Sequence, residues 1–105
     1  MKDLPKQYQK FLKTYPETAD AYYRLGETVH NAGPLDTKAR ALVKLALSAG
    51  AQLEGAVHSH TRKALEAGLS KEEIKQIMLL AIPTIGFPSA MAALSWVEDI
   101  TDPEE

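Results

Sequence analysis

The chain is 105 residues long, which is enough for one small domain, and we predict a single domain over residues 1–105. Hydrophobic residues make up 45% of the chain and charged residues 25%, a balance typical of globular proteins. The formal net charge of -2 and the lack of a membrane-length apolar run argue against nucleic-acid and membrane partners, and we expect a cytoplasmic protein.

Helical periodicity recurs along the first third of the chain. A first helix is predicted over about residues 4–14. Pro16 suits the first turn of a second helix, because a proline there forfeits no helical hydrogen bond. This helix is predicted to run to about Asn31, with Gly33 as its C-cap. Its predicted inward-facing residues are Ala19, Tyr22, Tyr23, Gly26 and Val29.

Three further helices follow. Asp36 is predicted to cap the third helix, and the fourth, which carries two histidines, is predicted to end at Gly68. Ser70 and Glu73 have the spacing of a capping box, in which each side chain bonds the backbone of the other, so a fifth helix should begin there. Pro83 is predicted to kink or end that helix, because it lacks an N–H donor and collides with the preceding turn.

The last helix is rich in small and apolar residues over positions 88–97. Its apolar surface extends almost all the way round, so we expect it to lie either at the centre of the protomer or between subunits. With about six helices and no segment of strand-like alternation, the predicted fold class is all-α. The apolar last helix also favours a homo-oligomer.

The fourth helix contains the chemically informative stretch "EGAVHSHTRKALEAG", residues 54–68. At about 100° per residue, His60 lies among the apolar positions, while Glu54 and His58 are one turn apart on another flank. A histidine on an apolar face is usually a core residue, and Glu54 with His58 has the spacing of an ordinary helix-stabilising pair. A metal site that shares Glu54 and His58 is the sharper alternative; we predict neither a metal nor a cofactor.

Two stretches carry a resemblance to a known family: "LDTKARALVKLALSAGAQLEG" and "HTRKALEAGLSKEEIKQIMLLA", followed by "GFPSAMAAL". Together, over about residues 35–95, they resemble the carboxymuconolactone decarboxylase family, which includes the alkylhydroperoxidase D-like proteins. The resemblance implies a helical protomer that assembles into trimers or hexamers, with sites near the subunit contacts.

Alkylhydroperoxidase D-like members carry C-x-x-C-x-x-x-H and a glutamate on the preceding helix. The resemblance aligns the motif histidine with His60, the two cysteines with Leu53 and Ala56, and the glutamate with Ala41. Because the chain contains no cysteine, dithiol peroxidase chemistry is excluded for it, and an oxidative-stress role would rest on family association alone.

The decarboxylase branch of the family needs no dithiol. The resemblance therefore implies acid–base chemistry on a small organic acid or lactone, with His60, His58 and Glu54 as the candidate catalytic residues. An acidic substrate needs cationic anchors, and the candidates are Arg40 and Arg62, with Lys44 also available. The alternative is a non-catalytic scaffold or binding protein of the same fold.

Overall fold

A computed structural model describes residues 4–104, which form six α-helices and no β-strand. The predictions of an all-α fold and of about six helices are confirmed. None of these helices is long and apolar enough to cross a membrane. In chain order the helices are α1 (Lys6–Thr14), α2 (Pro16–His30), α3 (Thr37–Gly50), α4 (Glu54–Glu66), α5 (Lys71–Ile85) and α6 (Phe87–Thr101).

The chain divides into two compact units, Met1–Pro34 and Leu35–Glu105. The first unit contains α1 and α2, and neither helix has a fully buried residue. The predicted inward positions of Tyr22, Tyr23 and Val29 are wrong, since these residues are 67%, 66% and 55% exposed. Helical periodicity identifies an apolar face but does not say what covers it.

The ends of α2 differ in how well the sequence predicts them. Pro16 occupies the first turn, as expected. The helix ends at His30, and the cap is Asn31, whose N–H bonds the Glu27 carbonyl at 3.2 Å, so the prediction of Gly33 as the cap is wrong. An asparagine can end a helix before a later glycine is reached, because its short polar side chain bonds the last turn; here its amide donates to the same carbonyl.

The second unit begins with a capped α3. Asp36 Oδ1 accepts from the Ala39 N–H at 2.9 Å, which satisfies one of the orphan donors of the first turn. At the start of α5 the full capping box is present, with the Glu73 N–H bonding Ser70 Oγ at 3.0 Å and the Ser70 N–H bonding Glu73 Oε1 at 2.8 Å. Both predicted N-terminal caps are confirmed.

Pro83 does not end α5, which continues to Ile85. Pro83 lies near the C-terminal end of α5, where it forfeits only one helical hydrogen bond, the one to the carbonyl of Leu79. The last residues of the helix keep their helical conformation. The helix ends instead at Gly86, whose φ of 98° is a conformation that residues with a Cβ rarely adopt.

The core of the second unit lies between α3, α4, α5 and α6, and α6 is central to it. Ala90, Ala93 and Val97 of α6 are fully buried within the chain. Of the two positions expected for α6, the structure therefore supports the centre of the protomer. The largest fully buried side chains are Leu45, Ile74, Met78, Val57, Val97 and Thr61.

An ion pair joins α5 to the end of α6. The Lys75 ammonium donates to Asp102 Oδ2 at 2.6 Å. This bond is the main reason that the pKa of Asp102 lies below its ordinary value and the pKa of Lys75 lies above its own. The pair thus fixes the C-terminal end of the central helix against its neighbour.

Leu45→Ala is expected to lower the free energy of unfolding by about 2–5 kcal/mol, because it leaves a cavity in the core. Leu47→Ala, two residues along the same helix, removes a side chain that is exposed in the protomer and should cost less than about 0.5 kcal/mol. Urea unfolding of the two variants at a low, fixed protein concentration checks this. Equal losses would contradict the placement of α3.

Asp102→Asn is expected to lower the free energy of unfolding at neutral pH, because Lys75 loses its charged acceptor. A carboxyl whose pKa is depressed in the folded state contributes stability that is present above its ordinary pKa, near 3.8, and is lost as the pH falls through the folded value. The difference from wild type should therefore disappear in acid. Urea titrations from neutral pH to pH ~3 measure it, with Glu66→Gln as the control; parallel curves for wild type and Asp102→Asn would contradict the prediction.

Candidate functional site

Helix α4 presents one fully buried face and two half-buried edges. Val57, Thr61 and Ala64 form the buried face. His58 and His60 are both half-buried. The helical repeat places the two imidazoles about 160° apart around the axis, on opposite sides of the buried face. The sequence predicted His60 in the middle of the apolar face. In the structure it lies at the edge of that face.

His58 faces α6. Its Nε2 lies 2.9 Å from Asp99 Oδ2, a hydrogen bond that becomes an ion pair when the imidazole is protonated. The His58 side chain is 25% exposed and the Asp99 side chain 55%, so the bond sits at the protein surface and solvent reaches both groups.

Glu54 belongs to the same cluster. One carboxylate oxygen of Glu54, a ring nitrogen of His58 and a carboxylate oxygen of Asp99 all lie within 4.8 Å of one another. The predicted pair of Glu54 and His58 is thus extended by an acid from another helix. Asp99 is 41 residues from His58 in the chain, and nothing in the local sequence distinguishes it from a solvated surface residue; only the packing of α4 on α6 brings it to the imidazole.

The other edge of α4 carries Lys63 and lies within electrostatic reach of Lys44 on α3. Lys63 follows His60 by three residues, so the two share one side of the helix. The pKa of Lys44, on α3, is lowered first by partial burial and then by the positive charges of Lys63 and Arg40. Lys44 therefore lies close enough to Lys63 and to Arg40 for their charges to disfavour its protonated form.

The two arginines predicted as substrate anchors occupy different places. Arg40 is half-buried at the start of α3, where its guanidinium donates to the Leu35 carbonyl at 2.5 Å and to Thr37 Oγ1 at 3.3 Å. Arg62 follows His58 by one helical turn and therefore lies on the α6 side of α4. Arg40 belongs with the cations near Lys44, whereas Arg62 does not share the side of His60.

A cavity of about 630 Å³ opens between α3 and α5. Its walls are almost entirely apolar, with Glu73, Gln76 and Thr84 as the polar exceptions. Glu73 is already engaged in the capping box. No predicted site residue lines this cavity, which is therefore an apolar groove remote from the acid–base groups. Its apolar lining residues are Leu42, Val43, Ala46, Ala49, Gly50, Ile77, Leu80, Ala81 and Ile85.

Similarity to known proteins agrees with the helical architecture. The family model described as "Carboxymuconolactone decarboxylase family" matches residues 16–99, most of the chain. The chain belongs to the carboxymuconolactone decarboxylase family. The fold is similar to that of apo-lpg0406, a carboxymuconolactone decarboxylase family protein from Legionella pneumophila, with a TM-score of 0.77 and 28% identity over 96% of this chain and 93% of that one.

Two archaeal relatives come from Methanocaldococcus jannaschii. The uncharacterized protein MJ0742 is 29% identical over 82% of this chain and 84% of its own length. The uncharacterized protein MJ1511 is 32% identical over 84% of this chain and 82% of its own length. These similarities extend the family assignment without adding an activity.

Membership does not bring the thiol chemistry of the alkylhydroperoxidase D-like proteins. The family resemblance aligns Leu53 and Ala56 with the two cysteines of the C-x-x-C motif. Leu53 is the N-cap of α4, and Ala56 lies in its first turn. With no cysteine anywhere in the 105 residues, the chain has no thiolate to reduce a peroxide. The groups that remain for chemistry are the imidazoles, carboxylates and ammonium groups on the two edges of α4.

Proposed function

We propose that this chain is an enzyme that moves a proton on a small organic acid or lactone, with His60 as the acid–base group. Arg40, Lys44 and Lys63 hold the carboxylate of the substrate. The proposal rests on Lys44 of α3, which senses the positive charges of Lys63 and Arg40, and on the position of Lys63 three residues after His60 on the same side of α4. The family name, which describes a decarboxylase of an acidic lactone, supports the substrate class.

The electrostatics of Lys44 favour an anionic ligand. Partial burial and two neighbouring cations disfavour its protonated form, and these are the causes of its lowered pKa. A bound carboxylate offsets this repulsion and accepts charge-assisted hydrogen bonds, which are the strong ones in proteins. The same cations would stabilise the negative charge that develops as carbon dioxide leaves a carboxylate-bearing substrate.

His60 is suited to the proton transfer by position. It is half-buried, which limits its contact with bulk water, and it precedes Lys63 by one turn. Its side chain takes part in a hydrogen bond, ring contact or electrostatic interaction. Imidazole is also the side chain that most often acts as a general acid or base in enzymes.

His58 and Glu54 were expected to assist His60. His58 and His60 are instead separated by about 160° around α4. Side chains on opposite edges of a helix are poorly placed to contact the same small substrate. The proposal therefore assigns the proton transfer to His60 and does not require His58. Arg62, which shares the His58 edge, is likewise not needed to hold the substrate.

The alternative is a non-catalytic scaffold of the same fold. Whether or not the chain is an enzyme, the protomer exposes apolar side chains that favour assembly. Leu47, Leu79, Leu80 and Phe87 are all more than half exposed, and the groove between α3 and α5 adjoins this surface at Leu80. We propose that other copies of the chain cover this surface in a cytoplasmic homo-oligomer, either a trimer or a hexamer.

Turnover of carboxymuconolactone, followed by loss of its ultraviolet absorbance and by release of carbon dioxide, tests the activity. His60→Gln is expected to lower kcat about 10²–10⁴-fold, because it removes the proton-transfer group. Lys44→Met is expected to raise KM about tenfold or more, since a hydrogen bond to a charged group contributes roughly 1.5–3 kcal/mol. Lys38→Met, an exposed lysine on the same helix, is the matched control. Unchanged turnover in His60→Gln, or no turnover of any small lactone or organic acid by wild type, would support the scaffold instead.

Light scattering tests the assembly. Wild type at micromolar concentration is expected to show a mass several times the 11.5 kDa of one chain. Leu80→Glu should reduce this mass, because it puts a charge into the apolar groove, whereas Gln7→Glu on the exposed face of α1 should not. A monomeric wild type would contradict the proposed homo-oligomer.

A further inference from the structure

We propose that Glu54, His58 and Asp99 bind a divalent first-row transition metal ion on the α6 side of α4. The proposal goes beyond the acid–base function assigned to His60, which uses the opposite edge of the helix. Two of the ligands come from α4 and the third from α6. It replaces the expectation, drawn from the sequence, that the chain binds no metal.

The geometry brings three ligand atoms of the right kind together. All three lie within 4.8 Å of one another, and the His58 and Asp99 atoms are 2.9 Å apart. Ligand atoms around a tetrahedral zinc ion, at bond lengths near 2.1 Å, are separated by about 3.4 Å. Glu54 is exposed at the first turn of α4, so rotation of its side chain can close the remaining distance.

Among residues 4–104, no lysine or arginine forms an ion pair with Glu54 or Asp99, although Arg62 lies on the same side of α4. Two carboxylates thus converge on a single imidazole, which can supply at most one positive charge. A divalent ion bound between them compensates both negative charges and replaces a hydrogen-bonded proton at His58 Nε2.

The donor set selects the class of ion. An imidazole nitrogen favours zinc, cobalt, nickel, copper or iron over magnesium or calcium, which prefer oxygen ligands alone. Two carboxylates add hard oxygen donors without any soft thiolate. Three protein ligands leave at least one coordination position for water or a substrate oxygen, the arrangement of catalytic rather than structural zinc sites.

The test uses untagged, chelator-treated full-length protein. Zn²⁺ binding is measured by isothermal titration calorimetry, and Co²⁺ binding by its visible absorption, which reports the coordination geometry. We expect one ion per chain. His58→Gln, Asp99→Asn and Glu54→Gln are each expected to weaken binding at least about tenfold, the size of effect known even for residues that only support metal ligands.

Matched controls separate a built site from adventitious binding. His30→Gln removes a histidine of the first unit, and Glu66→Gln removes a carboxylate from the last turn of α4; both should bind as wild type does. Because Glu54 and Asp99 are exposed, their substitutions leave the core intact, which circular dichroism verifies. No binding by wild type, or equal binding by all five variants, would overturn the proposal.

The outcome is independent of the activity assay. Metal stoichiometry and Co²⁺ absorption need no turnover, so they stand if the lactone assay fails. Conversely, if no metal binds, a loss of turnover confined to His60→Gln still supports the acid–base function.

Discussion

Burial of one face of α4 constrains all the chemistry that the chain offers. Val57 and Ala64 belong to the hydrophobic core of the second unit, and Thr61, on the same face of the helix, is fully buried as well. Once that face is fixed, the 3.6-residue repeat determines where every polar residue of α4 points. Two histidines only two positions apart then lie on opposite sides of the buried face.

This separation creates two electrostatic environments on one short helix. On the edge that carries His60, positive charges from α3 and α4 accumulate around Lys44. On the edge that carries His58, two carboxylates converge. The two proposals, an anionic substrate on the first edge and a metal ion on the second, follow from this difference in charge, although the chain as a whole is almost neutral.

The sequence predicted best what depends on neighbouring residues. The caps at Asp36 and Ser70 and the helical fold class follow from local hydrogen bonding and periodicity. Periodicity also placed Glu54 and His58 one turn apart. It could not identify Asp99, since that contact depends on how α6 packs on α4, nor could it show that Tyr22 and Tyr23 are exposed, because an amphipathic pattern does not name the surface that covers it.

Helices α1 and α2 contain no fully buried residue. Helices of 9 and 15 residues are marginal in water when isolated, because nucleation costs more entropy than a few turns recover. Within residues 4–104 the fully buried hydrophobic residues all come after Pro34, so α1 and α2 are the part of the chain that we expect to lose its helical structure first on heating or in urea.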